Sequence, residues 1–273
     1  MPSPVFLDHR AVLVVSGADA GTFLNGLLTV STLDLREGEM RYGALLTPQG
    51  KVIADMILTR IADGFFIDCA ASAAPALLKR LRIFRLRAAV AIEERSDLGV
   101  MAFEGSPDPR SPLAPTRRIV ARAADTGDIA AFHAARIAAG IAEQGIDFGA
   151  EDVFPADINM DLNGGIDFRK GCFVGQEVVS RMKRRGTARR RTLKAAFTAD
   201  IPAPSPVLAN GFEIGLLTSV SGGAGLARVR IDRMAQALAK NEIITANGQP
   251  VRLDGPPWLA AELAAMTETK ESR

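Results

Sequence analysis

Residues 170–177 read Lys170-Gly171-Cys172-Phe173-Val174-Gly175-Gln176-Glu177. This octapeptide ends an irregular segment that begins near Glu151 and fits no helical or strand period. Glycine tolerates positive φ angles and close backbone approach, so the two glycines predict a tight, exposed turn around the cysteine. A long loop without regular secondary structure in a compact domain usually has a functional role. Cys172 is therefore the first candidate functional residue.

The chemical state of this cysteine depends on the residues on either side of it. A helix is predicted to begin near Gly175, because the next apolar residues have the spacing of one buried face. Cys172 would then lie outside the positive end of the helix dipole and beside Lys170, and both favour a thiolate, which can bind metal or act as a nucleophile. The alternative is a cysteine that only packs. We favour that interpretation for Cys69, which lies in an apolar strand.

The composition limits the kinds of site that the chain can build. At 273 residues it is long enough for two or three packed units. Two cysteines and two histidines give little material for a disulfide framework, a four-thiolate metal cage or a histidine-based triad. We predict no metal site within the chain, so a bound cluster would need ligands from a partner. The first residues lack a signal-peptide pattern and no window is apolar enough for a membrane span, which predicts a cytoplasmic protein.

Hydrophobic patterns divide the chain into an α+β region and a later series of short strands. The first region is predicted to contain both strands and helices, with three consecutive strands between residues 41 and 69 as an antiparallel meander and a proline-rich loop before the last helix. Strands are expected at residues 11–15, 41–47, 52–61, 65–69, 88–92 and 99–103. Helices are expected at residues 19–28, 75–84 and 129–144, and the loop at residues 107–115. Later strands are expected at residues 192–199, 213–220, 226–231 and 242–253. Asn247-Gly248 predicts a hairpin, and the series as a whole predicts a small barrel or sandwich.

The octapeptide resembles the signature of the YgfZ family of folate-binding iron–sulfur maintenance proteins, which are relatives of the glycine-cleavage T-protein aminomethyltransferase. Further segments are similar to that family's pattern, and the similarity covers most of the chain as far as Gly186. These segments are Phe23-Leu24-Asn25-Gly26-Leu27-Leu28-Thr29, Thr47-Pro48-Gln49-Gly50-Lys51, Phe154-Pro155, Asn163-Gly164-Gly165-Ile166-Asp167-Phe168 and Val178-Val179-Ser180-Arg181.

The resemblance implies an α+β, T-protein-like (GcvT-like) folate-binding fold. Residues 1–188 would form two interlocked antiparallel α+β portions around a central opening for tetrahydrofolate or a derivative, and residues 189–273 a small C-terminal β-barrel. It also implies an accessory role in assembling or repairing iron–sulfur enzymes, with assembly proteins or client enzymes as partners. The aminomethyltransferases have a pair of aspartates where this chain has Ala54-Asp55, and they lack the cysteine. These two differences favour the accessory role over glycine-cleavage chemistry. A folate-dependent one-carbon transferase is the alternative.

The candidate site residues fall into two groups. Cys172 and Lys170 are the predicted catalytic residues. The predicted cofactor-binding residues are Asn25, Asp55, Gly171, Gln176, Glu177 and Arg181. Asp55 is either a buried carboxylate near the ligand or an outward residue on a half-solvated sheet. Glu177 would accept hydrogen bonds from a pterin or only occupy a first helical turn, and Asn25 would reach the ligand or be an ordinary exposed residue.

A run of basic residues comes after the octapeptide. Its seven cations, without an acidic residue among them, are Arg181, Lys183, Arg184, Arg185, Arg189, Arg190 and Arg191. Such a segment attracts anions, and four interpretations stay open: a folate polyglutamate tail, RNA phosphates, an acidic protein partner or a solvated surface. RNA binding is the weaker interpretation, because aromatic residues for base stacking are not interleaved with these cations.

Overall fold

The computed structural model describes residues 2–122, 127–186, 188–254 and residue 259. The N-terminal elements are β1 (Val5–Phe6), β2 (Arg10–Ser16), α1 (Ala20–Leu27), β3 (Met40–Leu46), β4 (Val52–Ile61), β5 (Gly64–Ala70), α2 (Ala74–Phe84), β6 (Ala91–Glu94), β7 (Leu98–Ser106), β8 (Arg117–Ala121) and α3 (Ile129–Ala138). A 3-10 turn at Pro155–Ile158 and α4 (Gln176–Arg184) come next. The C-terminal elements are β9 (Arg190–Ala196), β10 (Ser205–Ala209), β11 (Phe212–Ser221), β12 (Ala224–Arg230), α5 (Ile231–Ala239), β13 (Ile244–Ala246), β14 (Gln249–Pro250) and β15 (Arg252–Asp254).

The strands form three antiparallel sheets. The order β3-β4-β5-β2-β6 makes the first, and β1-β7-β8 makes the second. The third has the order β14-β13-β10-β11-β12-β9-β15 and forms the near-closed C-terminal barrel. This arrangement confirms the predicted α+β fold with a C-terminal barrel.

The five-stranded sheet is buried on both faces, and its second face positions the candidate site. Side chains alternate between the faces of a strand. The first face packs under α1 and α2 in one apolar core. On the second face, Tyr42, Ile57 and Asp68 lie opposite one another across β3, β4 and β5. Asp55, two residues before Ile57 on β4, lies on this second face.

Several predicted boundaries are wrong for local reasons. The helix expected to reach residue 144 ends at Ala138, and Gly140 lies just beyond it with a φ of 76°. β8 comes directly after the proline-rich loop and was missed. α5 was also missed, although Ile231, Met234 and Ala237 have helical spacing and are buried. The hairpin at Asn247-Gly248 is confirmed, since β13 pairs with β14 across it. Within the described ranges, no helix is long and apolar enough to cross a membrane.

Candidate functional site

The octapeptide forms an exposed loop that leads into α4, and Cys172 is exposed on it. An aspartate turn begins the loop: Asp167 Oδ1 accepts backbone hydrogen bonds from Arg169 at 2.8 Å and Lys170 at 3.2 Å. The backbone N–H of Asp167 donates to the carbonyl of Thr29 at 2.9 Å. The expected exposure of Cys172 is therefore confirmed, and so is the burial of Cys69.

Lys170 attaches this loop to the end of α1. Its ammonium group donates hydrogen bonds to the carbonyl oxygen of Asn25 and, at 2.6 Å, to that of Leu28. Carbonyls in the last turn of a helix lack intrahelical partners and carry partial negative charge, so a cation stabilises them. Burial lowers the pKa of Lys170 to about 8, while Asp167 and Cys172 act in the opposite direction. Lys170 thus acts as an anchor of the loop, and its predicted catalytic role stays a prediction.

The other end of the loop is fixed by Phe173 and Gly175. Phe173 is buried in the core that covers the second face of the sheet. Gly175 caps α4 with a φ of 81°, and a Cβ there would lie 2.6 Å from the carbonyl oxygen of Thr47. Only glycine fits this close approach without strain. Cys172 is consequently exposed between two fixed points.

Asp55 lies in a different environment, inside the protein. Its side chain is buried on β4, and Tyr42 donates a hydrogen bond to Asp55 Oδ2 at 3.0 Å. Asp55 Oδ1 has no hydrogen-bond partner in the described part of the chain. Burial raises the pKa of Asp55, although Arg10 and Arg110 oppose this shift. Of the two interpretations, the structure shows the buried carboxylate.

Tyr42 joins the Asp55 region to the loop. Gly165, which precedes the loop, packs so closely on Tyr42 that a Cβ on the glycine would lie 2.9 Å from Tyr42 Cδ1. The carbonyl of Gly165 accepts a hydrogen bond from Thr29 Oγ1 at 2.7 Å. Tyr42 and Phe173 also belong to the same apolar cluster. The loop and Asp55 therefore rest on one continuous core.

A cavity of about 310 Å³ opens on the second face of the sheet, between β4, β5, β7 and β8. Ile57, Phe66 and Val100 supply apolar wall, and buried Asp68 and Arg117 supply polar wall. Sequence reasoning missed both polar residues. The signal for Asp68 was present, because it is a carboxylate in an otherwise apolar strand, as Asp55 is.

Buried ion pairs support the polar side of this cavity. Asp68 accepts a hydrogen bond from Arg10 Nε at 2.7 Å and is also paired with Arg117. Arg117 pairs with Asp108 at 2.8 Å. Arg10 Nη1 and Arg117 Nε are buried without a partner among the described residues. A buried guanidinium N–H group without a partner is unfavourable, and Arg117, which carries one such group, lines the cavity.

The same network reaches the segment after α3. Arg110 lies between Asp108, at 2.8 Å, and Glu143, at 3.2 Å. Glu143 also contacts His9 Nε2 at 2.7 Å. Burial opposes ionisation of Glu143, but His9 and the arginines lower its pKa well below the ordinary value. These contacts connect the second face of the sheet to the proline-rich loop and to the segment after α3.

The remaining predicted cofactor-binding residues lie around the loop. Asn25 is half-buried, and its side-chain oxygen accepts a hydrogen bond from the Thr32 backbone at 3.3 Å. Gly171, Glu177 and Arg181 are exposed, and Gln176, the first residue of α4, is half-buried. None of these residues is part of the described lining of the 310 Å³ cavity. Their predicted roles stay predictions.

The basic run divides into a surface and one structural residue. Arg191 is buried and pairs with Asp161 at 2.7 Å. Lys183 lies 3.6 Å from the centroid of the Phe168 ring. The other five cations of the run are exposed, as Lys183 is.

Comparisons with known proteins agree with this architecture. Residues 7–141 match the GCVT N-terminal domain, and residues 189–261 match the CAF17 C-terminal β-barrel domain. The crystal structure of glycine cleavage system aminomethyltransferase T from Bartonella henselae superposes with a TM-score of 0.74 at 18% identity, covering 93% of this chain and 85% of that one. The superposition and the matched domains define a GcvT-like fold with a CAF17-type C-terminal barrel.

Curated relatives make the assignment more specific. Mitochondrial iron–sulfur cluster assembly factor IBA57 homologues from Mycosarcoma maydis and Pyricularia oryzae are 32% and 27% identical, covering 74% and 94% of this chain. Human IBA57 is 28% identical over 92% of this chain and 84% of its own length. The chain spans 59% of the Mycosarcoma maydis relative and 75% of the Pyricularia oryzae one. The chain is thus homologous to IBA57 proteins, which share a superfamily with the YgfZ proteins.

One expectation is overturned by this comparison. The predicted cytoplasmic location is wrong, because the relatives are described as mitochondrial proteins. The absence of a signal-peptide pattern did not indicate which compartment the protein occupies.

Proposed function

We propose that this chain is a tetrahydrofolate-binding accessory factor for the assembly or repair of iron–sulfur enzymes, with Cys172 as its functional thiol, as its YgfZ-like octapeptide implies. The observation that carries the proposal is the exposure of Cys172 on a loop fixed at Lys170 and Gly175. The IBA57 relatives are named as iron–sulfur cluster assembly factors, which supports the iron–sulfur part of the proposal.

The chemistry of a single thiol fits an accessory role. A thiolate binds iron strongly, but one cysteine supplies one of the four ligands that a cluster normally takes. The cluster is then cargo, held jointly with a partner's ligands while it is built or passed on. A fixed, exposed loop suits this task, because the thiol reaches a partner without rearrangement of the fold.

The 310 Å³ cavity is our candidate site for the folate. Its size and mixed lining fit a small aromatic ligand. Asp68 and Arg117 would supply hydrogen bonds, and Ile57 and Phe66 would pack on the ring. A reduced pterin provides ring and amino N–H donors together with carbonyl and ring-nitrogen acceptors, which this set of groups can satisfy.

Titration of tetrahydrofolate by calorimetry, together with client-enzyme activity in cells, tests the proposal. Cys172→Ala should bind tetrahydrofolate as wild type does and lose support of iron–sulfur enzymes. Cys69→Ala is the matched control, because it removes the buried thiol and should keep both properties. Asp68→Asn should weaken tetrahydrofolate binding at least about tenfold. Full client activity with Cys172→Ala would refute the role of the thiol.

A one-carbon transferase is the second candidate, and Asp55 is the observation that favours it. Its buried carboxyl has a raised pKa and one unpartnered oxygen, which suits a group that accepts and returns a proton. Turnover of an aminomethyl donor with tetrahydrofolate, abolished by Asp55→Asn, would support this function. Absence of turnover while tetrahydrofolate binds would leave the accessory role.

A further inference from the structure

Six exposed cations lie between the second half of α4 and the first residue of β9. This cationic ridge consists of Arg181, Lys183, Arg184, Arg185, Arg189 and Arg190. Residues 178–199 contain no Asp or Glu, so this segment supplies no counter-charge of its own. In the part of the chain that the structure describes, the six cations form no ion pair with a carboxylate.

The ridge differs from the other basic residues of this segment. Arg191 is adjacent in sequence, yet it points inward and is neutralised by Asp161. Some exposed arginines elsewhere have a carboxylate partner, as Arg95 has in Asp97 at 2.7 Å. An uncompensated set of like charges lowers stability by repulsion and raises the local positive potential. The ridge therefore favours association with an anionic surface.

The distance between the cationic ridge and Cys172 is short enough for one partner interface to cover both. α4 has nine residues, which corresponds to about 13 Å of helix. Cys172 lies just before the first turn of α4, and the ridge begins at Arg181 in its second half. A protein interface of ordinary size buries about 800 Å² on each partner and is roughly 30 Å across. One partner can thus cover the ridge and the thiol together.

We propose that the cationic ridge docks an acidic surface of a protein partner and so places the partner's cluster ligands next to Cys172. This inference rests on the proposed function, because it assumes that a partner shares the cluster with the thiol. Electrostatic docking increases the rate of encounter and fixes orientation, which a transient transfer complex requires. It leaves the apolar core of the chain uninvolved.

A protein partner fits the ridge better than RNA does. Single-stranded RNA is usually bound by aromatic side chains on which bases stack. The aromatic residue at the ridge is Phe168, and Lys183 lies over its ring. The neighbouring thiol also has a use in a protein complex that exchanges a cluster and none in recognition of phosphates.

Carbodiimide cross-linking in cell extracts tests the ridge, because this zero-length reagent joins a lysine amine to a carboxylate and leaves RNA unlinked. Lys183 is the native reporter. We expect peptides containing Lys183 to be joined to Asp or Glu peptides of a protein partner. The triple variant Arg181→Glu, Arg184→Glu, Arg185→Glu should reduce this product and client-enzyme activity at least about fivefold. Replacing the captured carboxylates of the partner by lysine should restore client-enzyme activity with the triple variant, and new cross-links should then join the introduced glutamates to those lysines.

A matched control carries the same charge change on another surface: Lys79→Glu, Arg85→Glu, Arg87→Glu at and after α2. It should behave as wild type. Glutamate at a helix C-terminus is unfavourable, so the triple glutamine variant at residues 181, 184 and 185 provides a milder second test, with an intermediate loss. Thermal unfolding verifies that each variant folds.

Two results would overturn the inference. Full client activity and unchanged cross-linking in the triple glutamate variant would show an ordinary solvated surface. Ridge-dependent ultraviolet cross-links to RNA, without carboxylate cross-links, would assign the ridge to nucleic acid. If Cys172→Ala fails to support clients while the triple variant succeeds, the docking inference fails and the proposed function stands. If both succeed, the proposed function fails.

Discussion

The ammonium group of Lys170 donates a hydrogen bond to the carbonyl oxygen of Leu28 at 2.6 Å, although the two residues lie 142 positions apart. This contact attaches the cysteine loop to the last turn of α1. The loop is thereby held by the end of α1 on one side and by α4 on the other. The position of Cys172 is consequently a property of the whole fold.

Loss of this anchor should change stability in a pH-dependent manner. Lys170→Met should lower the free energy of unfolding at pH 7 by about 1–2 kcal/mol, because two helix-terminal carbonyls lose their donor. Burial lowers the pKa of Lys170 from 10.5 to about 8 in the folded protein. The unfolded chain binds more protons between these values, so the stability of wild type relative to Lys170→Met should rise from pH 8 to 10.5. Denaturant unfolding across this range measures it.

Arg169→Met is the control for this experiment, because Arg169 is the exposed neighbour of Lys170. Its stability should match that of wild type within about 0.5 kcal/mol at each pH. A flat difference between wild type and Lys170→Met above pH 8 would contradict the assigned direction of the pKa shift.

The two glycines of the octapeptide should respond differently to alanine. Gly175→Ala should lower the free energy of unfolding by at least about 2 kcal/mol, because φ is 81° and the new Cβ would lie 2.6 Å from Thr47 O. Gly171→Ala should change stability by less than about 0.5 kcal/mol, because nothing lies within 4 Å of its Cβ position. Equal losses in chemical denaturation would show that the tight contact at Gly175 is relieved elsewhere.

Local patterns predicted much of this fold and part of the site. The start of α4, the exposure of Cys172 and the burial of Cys69 could be inferred from glycine placement and apolar spacing within a few residues. The 310 Å³ cavity could not be predicted in the same way. Asp68 meets Arg10 and Arg117, which are 58 and 49 residues away, through strand order and not through sequence proximity. Periodicity shows which face a residue occupies, but it does not show which distant strand faces it.

Two neighbouring arginines of the basic run, Arg190 and Arg191, also differ in a way that the sequence pattern does not show. Arg190→Met should leave stability within about 0.5 kcal/mol of wild type, since Arg190 is exposed. Arg191→Met should cost about 3–5 kcal/mol, because it leaves Asp161 without its bidentate partner, at 2.7 and 3.1 Å, in a mostly buried site. Urea unfolding of the two variants measures the contrast. Similar stabilities would mean that solvent replaces the arginine at Asp161.

The two thiols should be distinguished by alkylation of the native protein. Cys172 is exposed, whereas Cys69 is fully buried and burial raises its pKa to about 12. The thiolate is the reactive form, so iodoacetamide at pH 8 should modify Cys172 and leave Cys69 unmodified until the protein is unfolded in urea. Intact mass should therefore show one adduct before unfolding and two after it, and Cys172→Ser should show none in the native state. Native modification of Cys69 would mean that the first sheet opens readily, and a native Cys172 that stays unmodified would remove the exposed thiol on which the proposed function depends.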